Sequence, residues 1–501
     1  MALLERAEWY DIARSTNWAP TYVEESELFP DLMTGSMGIA VESWEAFDEP
    51  YKISYPEYVR VQRDKDAGVY SVKAALERSQ LYENADPGWL SVLKLHYSTL
   101  ALVEYVGMHA QARMVRFGRA PGMRNMATFG MLDESRHTQI QLYFAHEYCT
   151  KDRQFDWTHK LLHTNSLASV ATRSSADDVA HSRSAAEIAV MLSFGLETSF
   201  TNMQFLGLAS DAAEVGDFTF SSLISSIQTD EARHAQIGGS VLKIMIDDGR
   251  VAQAQKLVDI AIARSWYVFC VPAGTAMDYG MPLDRRKQSF REFMQEWIFD
   301  QFERSLIEMG LSRPWYWDQM IAESQYQHHA YQLAAWFWRP AMSWNPAAGV
   351  THGCRDWLEE KYPGWNDTFG KAWDVIIENL LAGKHELTLP ETVPIICNLN
   401  QLPICAIPGD GWSVKDHPLE YDGRTYHFNS EIERWVFEQD PRRYRDHLSL
   451  ADRLLAGKIV PPDLAGALKY MGLAPGEMGD DAHGYRWVET YRNNPYERKA
   501  A

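Results

Sequence analysis

Asp133-Glu134-Ser135-Arg136-His137 and Asp230-Glu231-Ala232-Arg233-His234 are two copies of one phrase, D-E-x-R-H, set 97 residues apart. Inside each lies Glu-x-x-His, and the i,i+3 spacing puts a carboxylate and an imidazole on the same face of a helix. That pair is a ligand set for a first-row transition metal. A single Glu-x-x-His carries little weight, since roughly one arises by chance at this composition. The full phrase written twice does not.

Two such helices facing each other, plus one Glu from each of two more helices, make the dinuclear carboxylate site of ferritin-like bundles. The chain holds both missing members. Glu104 stands in Leu100-Ala101-Leu102-Val103-Glu104-Tyr105-Val106-Gly107, and Glu197 in Leu192-Ser193-Phe194-Gly195-Leu196-Glu197-Thr198. Each is a lone carboxylate in an apolar helical stretch, and burying it without a partner is costly, so it should be paired or bound to metal. Glu104 to Glu134 is 30 residues and Glu197 to Glu231 is 34, each room for a helix, a turn and a second helix. The expected fold is mainly α: a ferritin-like di-iron helical bundle of two equivalent hairpins, with a small α+β C-terminal region. Its metal ligands are Glu104, Glu134, His137, Glu197, Glu231 and His234. Structural salt bridges explain one such motif, but not the duplicated set of six.

The neighbours of these residues fit the same chemistry. A metal-bound imidazole donates its other N–H to a carboxylate, which fixes tautomer and ring orientation. Asp133 and Asp230 are the natural partners, reaching across between hairpins, and Arg136 and Arg233 balance the buried negative charge. Thr201 lies four residues after Glu197 on the same face, where a hydroxyl can pass protons to oxygen bound at the metals. The competing reading is a hydroxyl bonded to the carbonyl one turn back. Asn202 beside it, and Gln228 three residues before Glu231, are placed to order water near the metals.

A chain of 501 residues can bury a large core, and 18 Trp, 24 Tyr and 20 Phe make aromatic burial extensive. A net charge of −20 argues against neutralising nucleic-acid phosphates. No apolar run approaches the roughly 20 residues needed to span a bilayer, and Met1-Ala2-Leu3-Leu4-Glu5-Arg6 is no signal peptide. The five cysteines (Cys149, Cys270, Cys354, Cys397, Cys405) show no C-x-x-C, and their odd number points to free thiols in a reducing cytoplasm.

Along the chain, residues 1–85 read as an N-terminal arm without long periodicity, 86–390 as the helical core and 391–501 as a C-terminal hairpin and tail. Asp86 as N-cap and Pro87 at the first helical position start a helix that carries Glu104 to about Phe117, where Gly118 and Pro121 stop it. The next helix, near 123–147, bears the first D-E-x-R-H. Ser184-Ala185-Ala186-Glu187 is a capping box for the helix of Glu197. Gly216-Asp217 turns into the helix of the second motif, which ends near Gly249. Further helices are expected near 252–275, 286–310, 314–337 and 366–382. Glu420 to Phe428 reads as a hairpin with an Asp422-Gly423 turn. With Trp435, Phe437, Pro441 and Tyr444 it resembles the small YHS module, although Asn429 stands where that module often has cysteine, so the role expected is structural or subunit-contacting.

With these residues in hand, the chain resembles the α subunit of a soluble di-iron monooxygenase hydroxylase, of the four-component toluene/alkene/isoprene group. The resemblance rests also on Tyr51-Lys52-Ile53-Ser54-Tyr55-Pro56-Glu57-Tyr58, Arg124-Asn125-Met126-Ala127-Thr128-Phe129-Gly130, Phe200-Thr201-Asn202-Met203-Gln204-Phe205-Leu206-Gly207-Leu208 and Ser225-Ser226-Ile227-Gln228-Thr229-Asp230-Glu231. It implies a carboxylate-bridged pair of Fe ions, with Glu104, Glu134 and His137 on one and Glu197, Glu231 and His234 on the other. It implies O2 as co-substrate and an (αβγ)2 hydroxylase with β and γ subunits. It also implies a Rieske ferredoxin, a flavin reductase drawing on NADH, and a small effector protein.

Aromatic-hydroxylating members of that family place large Phe side chains where this sequence has Ala176 and Leu196, and a smaller residue at Val103. The resemblance therefore implies a cavity lined by Leu100, Val103, Gly107, Ala176, Leu192, Leu196 and Phe205, more aliphatic than aromatic. That favours epoxidation of a short alkene such as isoprene, with hydroxylation of toluene, benzene or phenol-type aromatics as the alternative. A ribonucleotide reductase small subunit would need a radical Tyr close after the first ligand His. The residue four beyond His137 is Gln141, and the nearest following Tyr is Tyr143. An acyl-carrier desaturase shares the ligands but not the arm and aromatic tail, and an iron-storage bundle is far shorter.

Overall fold

A computed structural model describes residues 37–458, apart from 73, 75, 77, 79, 153–154, 156–164, 166, 181, 339–350, 383–394 and 405–415. The expectations placed on 1–36, on 459–501 and on Cys405 lie outside the described residues. The arm is the first surprise. It contains a helix of 17 residues, α1 (Tyr55–Ser71), that buries Tyr58, Gln62 and Val69. Two of those three inward residues are polar, so hydrophobic periodicity passes over the helix.

The core is built from two long hairpins. In the first, α2 (Pro87–Phe117) begins where Asp86 accepts the Gly88 N–H at 2.7 Å, and ends at Gly118. The helix α3 (Pro121–Tyr148) follows with Pro121 in its first turn, so the proline that cannot continue one helix opens the next. A shorter helix, α4 (Leu167–Ala180), packs on α2 and leads into the second hairpin.

That hairpin departs from regular α-geometry. Its first arm, α5, runs through Ala185–Ile188, a π segment Ala189–Phe200, a second π segment Met203–Leu208, and Ala209–Glu214. Ser184 caps it by accepting the Glu187 N–H at 3.1 Å. The Glu187 carboxylate, however, accepts the Arg183 N–H, so the expected capping box closes one residue early. Gly216 at φ +81° turns the chain and Asp217 caps α6 (Phe218–Asp247). The two arms approach so closely that a Cβ on Gly238 would lie 2.5 Å from the Phe194 backbone nitrogen. The hairpins meet where α3 packs on α6.

Next comes α7 (Val251–Thr275), extended by a π turn, Ala276–Gly280. Contrary to the reading of apolar runs, Val251–Gly280 has the length and hydropathy to cross a bilayer, but 78% of its most apolar 18-residue stretch is buried inside the fold. It packs on α5, α4 and the later helix Gln327–Trp338, with Trp266 wholly enclosed. The helix expected over 314–337 is two, Trp317–Ser324 and Gln327–Trp338, and one at His352–Lys361 was not anticipated.

In the C-terminal region β1 (Leu419–Tyr421) pairs antiparallel with β2 (Arg424–Tyr426). Asp422 at φ +52° and Gly423 at φ +75° form the turn, as a two-residue primed hairpin turn requires. The following helix, Glu431–Gln439, buries Ile432, Val436 and Phe437. Asn429 donates to the Tyr267 hydroxyl at 2.8 Å and ties this region to α7.

Candidate metal centre

Four helices deliver six side chains to one buried point: Glu104 from α2, Glu134 and His137 from α3, Glu197 from α5, and Glu231 and His234 from α6. They form two overlapping groups whose possible ligand atoms lie within 4.8 Å of one another. One is Glu104, Glu134, His137 and Glu231; the other is Glu134, Glu197, Glu231 and His234. Glu134 and Glu231 belong to both. His137 Nδ1 is 3.1 Å from Glu231 Oε1 and 3.8 Å from Glu134 Oε2. His234 Nδ1 is 3.6 Å from Glu231 Oε2 and 3.3 Å from Glu134 Oε1. Each of these two carboxylates thus turns one oxygen to each half. Glu104 and His137 belong to one group alone, Glu197 and His234 to the other alone, and Glu134 and Glu231 to both.

Whether cations fit can be read from the unsatisfied atoms. Glu134 Oε2, His137 Nδ1, both Glu197 oxygens, Glu231 Oε1 and His234 Nδ1 are all buried without a hydrogen-bond partner. Leaving one buried polar atom unpaired costs about 1–3 kcal/mol. Six converging on one point form a donor set that divalent cations satisfy, and oxygen and imidazole nitrogen are the donors iron takes. The other faces of the imidazoles are held. His137 Nε2 lies 3.3 Å from Asp230 Oδ2, and His234 Nε2 lies 3.1 Å from Asp133 Oδ2. Each aspartate reaches the opposite hairpin. That leaves both Nδ1 atoms facing the cluster, the arrangement of carboxylate–histidine–metal sites.

Electrostatics carries the same message. Burial alone would strip protons from the imidazoles, but Asp230, Glu104, Glu134 and Glu231 hold His137 well above its ordinary range. Glu231 and Asp133 among others do the same for His234. Burial pushes Glu104 up to about 8 and Glu197 well above the usual carboxylate range. Burial works against Glu231 too, yet His234 and His137 keep it down at about 2. The metal-free cluster neutralises itself with protons where two divalent cations would do so. Loading must expel those protons, so apparent affinity weakens as pH falls. We expect at least two protons released per pair of ions, and therefore about 100-fold or more lost affinity per pH unit below about 8. Adding Co(II) to metal-free protein with an indicator in weak buffer measures the release; no acidification would contradict it.

Around the cluster, Arg136 donates to Asp66 at 2.6 Å, to Asp230 at 3.2 Å and to Ser226 at 2.7 Å. Arg233 donates to Asp133 and, at 2.7 Å, to Asp230. Other contributors were missed in the sequence. Tyr58, Gln62 and Lys65 of α1 reach the two aspartates. Their i, i+4, i+7 spacing on one helical face was the available signal. Gln141, noted only as not a tyrosine, donates to Glu104 Oε1 at 2.9 Å.

Thr201 is buried and its hydroxyl donates to the Glu197 carbonyl at 2.9 Å, the back-bonded arrangement that competed with a proton-handling role. Asn202 is half-buried and donates to the Thr198 carbonyl and to Gln301. Gln228 is half-buried as well, and neither lines the cavity beside the cluster. That cavity holds about 160 Å³. Its wall includes Leu100, Val103, Gly107, Ala176, Leu192, Leu196 and Phe205, together with Thr201 and the ligands Glu104, Glu134, Glu197 and Glu231. His96, Phe269 and Tyr331 also face it.

A second His/Asp group, Asp278, His328 and His329, lies elsewhere. The Asp278 oxygens already accept from the Phe290 N–H, His328 Nε2 and the Tyr362 hydroxyl, so it is a structural knot between segments.

A four-helix carboxylate/histidine cluster opening on an apolar cavity defines the ferritin-like di-iron class of oxygen-activating bundles. Residues 18–249 match the family model Methane/Phenol/Alkene Hydroxylase. The oxygenase component subunit alpha of the alkene monooxygenase system of Xanthobacter autotrophicus is 44% identical, over 99% of this chain and 99% of that one. The oxygenase component of phenol 2-monooxygenase from a Pseudomonas species is 26% identical over 86% and 83% of the two chains. The methane monooxygenase component A alpha chain of Methylococcus capsulatus is 24% identical over 79% and 77%. Xenon-pressurised phenol hydroxylase from Pseudomonas sp. OX1 shares the fold at TM-score 0.82 and 22% identity, over 97% of this chain and 100% of that one. The chain belongs to the methane/phenol/alkene hydroxylase family of di-iron monooxygenases.

Proposed function

We propose that this chain is the catalytic subunit of a multicomponent monooxygenase that inserts one atom of O2 into a small hydrocarbon, with epoxidation of isoprene or another short alkene as its reaction. The observation that carries the reading is the six-residue cluster opening on an apolar cavity of about 160 Å³. Glu104, Glu134, His137, Glu197, Glu231 and His234 would hold two Fe ions, which when reduced supply the activation of O2. The chain's own contribution is geometry and a dry chamber. The aliphatic wall binds the alkene and excludes water, while Asp133, Asp230, Arg136 and Arg233 hold the imidazoles and balance charge. Thr201 keeps a proton on Oγ1, now given to the Glu197 carbonyl, within the cavity wall. We assign Asn202 and Gln228, which are half-buried and do not line the cavity, to ordering solvent. The second oxygen atom leaves as water, taking up two protons and two electrons, the electrons coming from NADH through a flavin reductase and a Rieske ferredoxin. The similar relatives are named as components and subunits, which supports further subunits and partners; the assembly proposed is (αβγ)2 with a small effector protein. The four free cysteines among the described residues suit a reducing cytoplasm.

Aromatic hydroxylation is the second reading, favoured by Phe205, Phe269 and Tyr331 in the cavity wall and by the phenol 2-monooxygenase relative. Volume does not separate the two, since a cavity of about 150 Å³ already accepts benzene, and a methylene is worth only about 1–3 kcal/mol of discrimination. The reconstituted system offered isoprene and toluene together should give mainly epoxide. Predominant cresol would establish the second reading. Retained iron and full turnover in Glu104→Ala or His234→Ala would end both.

A further inference from the structure

We propose that Gln62 is a positioning residue that ties the two halves of the metal centre together; this rests on the reading that the six ligands hold two cations. Gln62 sits on α1, outside the four ligand helices, and is buried. Its Nε2 lies 2.8 Å from Asp133 Oδ1 and 2.8 Å from Asp230 Oδ1. Carboxylates only accept, so the amide must present both of its hydrogens to this pair, which settles its orientation on chemical grounds. The carbonyl side is buried with no partner, so the contacts that hold the amide in place are those two donated bonds.

The consequence follows from what each aspartate holds. Asp133 orients His234 and Asp230 orients His137. Of the two aspartates, Tyr58 touches only Asp133, while Lys65 and Arg136 touch only Asp230. Arg233 also spans both, but it belongs to α6 beside its own ligand and supplies charge. Gln62 is neutral and comes from another element. It therefore sets the distance between the two carboxylates and, through them, the direction of both Nδ1 lone pairs.

The test uses the intact hydroxylase with its metal removed, titrated with Co(II) and followed by the visible bands of the bound ion. The wild-type protein should take up two Co(II) per chain. Gln62→Met keeps length but donates nothing; both ions should bind on the order of 10–100-fold more weakly, with shifted bands and an unchanged melting temperature of the metal-free protein. Tyr58→Phe should weaken one ion only. Gln62→Asn, which draws the amide back by one methylene, should fall between wild type and Gln62→Met. Wild-type affinity for both ions in Gln62→Met, or loss at one only, overturns the proposal. If neither Gln62 variant folds, the residue is structural and the proposal fails as well. A wild-type chain that binds fewer than two Co(II) overturns the metal reading instead.

Discussion

Glu231→Ala is expected to cost the protein both metal ions, whereas Glu104→Ala is expected to cost it one. Glu231 faces His137 with Oε1 at 3.1 Å and His234 with Oε2 at 3.6 Å, so its removal takes an oxygen from each half. Glu104 has its Oε2 3.6 Å from His137 Nδ1 and belongs to one half only. Loss of a residue behind a ligand already weakens metal binding about 10–100-fold, so loss of a shared ligand should exceed that at both positions. The deletion also unbalances charge. His234 and His137 hold Glu231 below the usual carboxylate range, and without it two imidazoles face one another across 6.1 Å with less to offset them. Metal analysis after gel filtration should therefore fall from two ions per chain to none, and alkene turnover with it. Because bound ions stabilise only the native state, the melting temperature should also stop responding to added iron. A Glu231→Ala protein that keeps one tightly held ion would show that this carboxylate is not shared.

Gly238→Ala should be among the most destabilising single changes in the molecule, and Gly239→Ala should stabilise it. A Cβ at position 238 would lie 2.5 Å from the Phe194 nitrogen, 2.7 Å from the Phe194 Cβ and 2.8 Å from the Ala189 carbonyl oxygen. Two of those atoms are backbone, so no side chain can swing aside; α5 and α6 must separate. Overpacking typically costs about 1–3 kcal/mol, and more where the backbone has to move. The displaced part is the π segment that carries Glu197, so metal content should drop along with stability. Next door, a Cβ on Gly239 meets nothing within 4 Å. In a helix interior that exchange gains roughly 0.5–1 kcal/mol through the unfolded chain. Thermal melts of the two variants should move in opposite directions. Equal and small shifts would mean that the hairpin arms are looser than described.

Some of this was written locally. The duplicated D-E-x-R-H and the two lone glutamates name the donors, because helical spacing alone decides which side chains share a face. Asp86, Asp217, Gly118 and Gly216 mark helix ends through capping and turn chemistry, which acts over a few residues. The Asp422-Gly423 turn is legible for the same reason.

What stayed hidden depends on surfaces meeting across the chain. The helix α1 buries Tyr58 and Gln62 against aspartates far away in sequence, so its inward face looks polar and no apolar period announces it. The π segments around Glu197 answer to packing of α5 against α6 and α7, for which the local residues carry no signal. The crossing of Asp133 to His234 and of Asp230 to His137 was expected from the motifs, but the distances that realise it come from α3 lying against α6. The same contact makes Glu134 and Glu231 common property. The sequence by itself supplied the ligands and the helices that bear them; only the tertiary structure decided which carboxylates are shared and what holds them. The physical reason is that donor type and helical phase are properties of neighbours in sequence, whereas bridging requires distances between helices, and those are set by how the whole core packs.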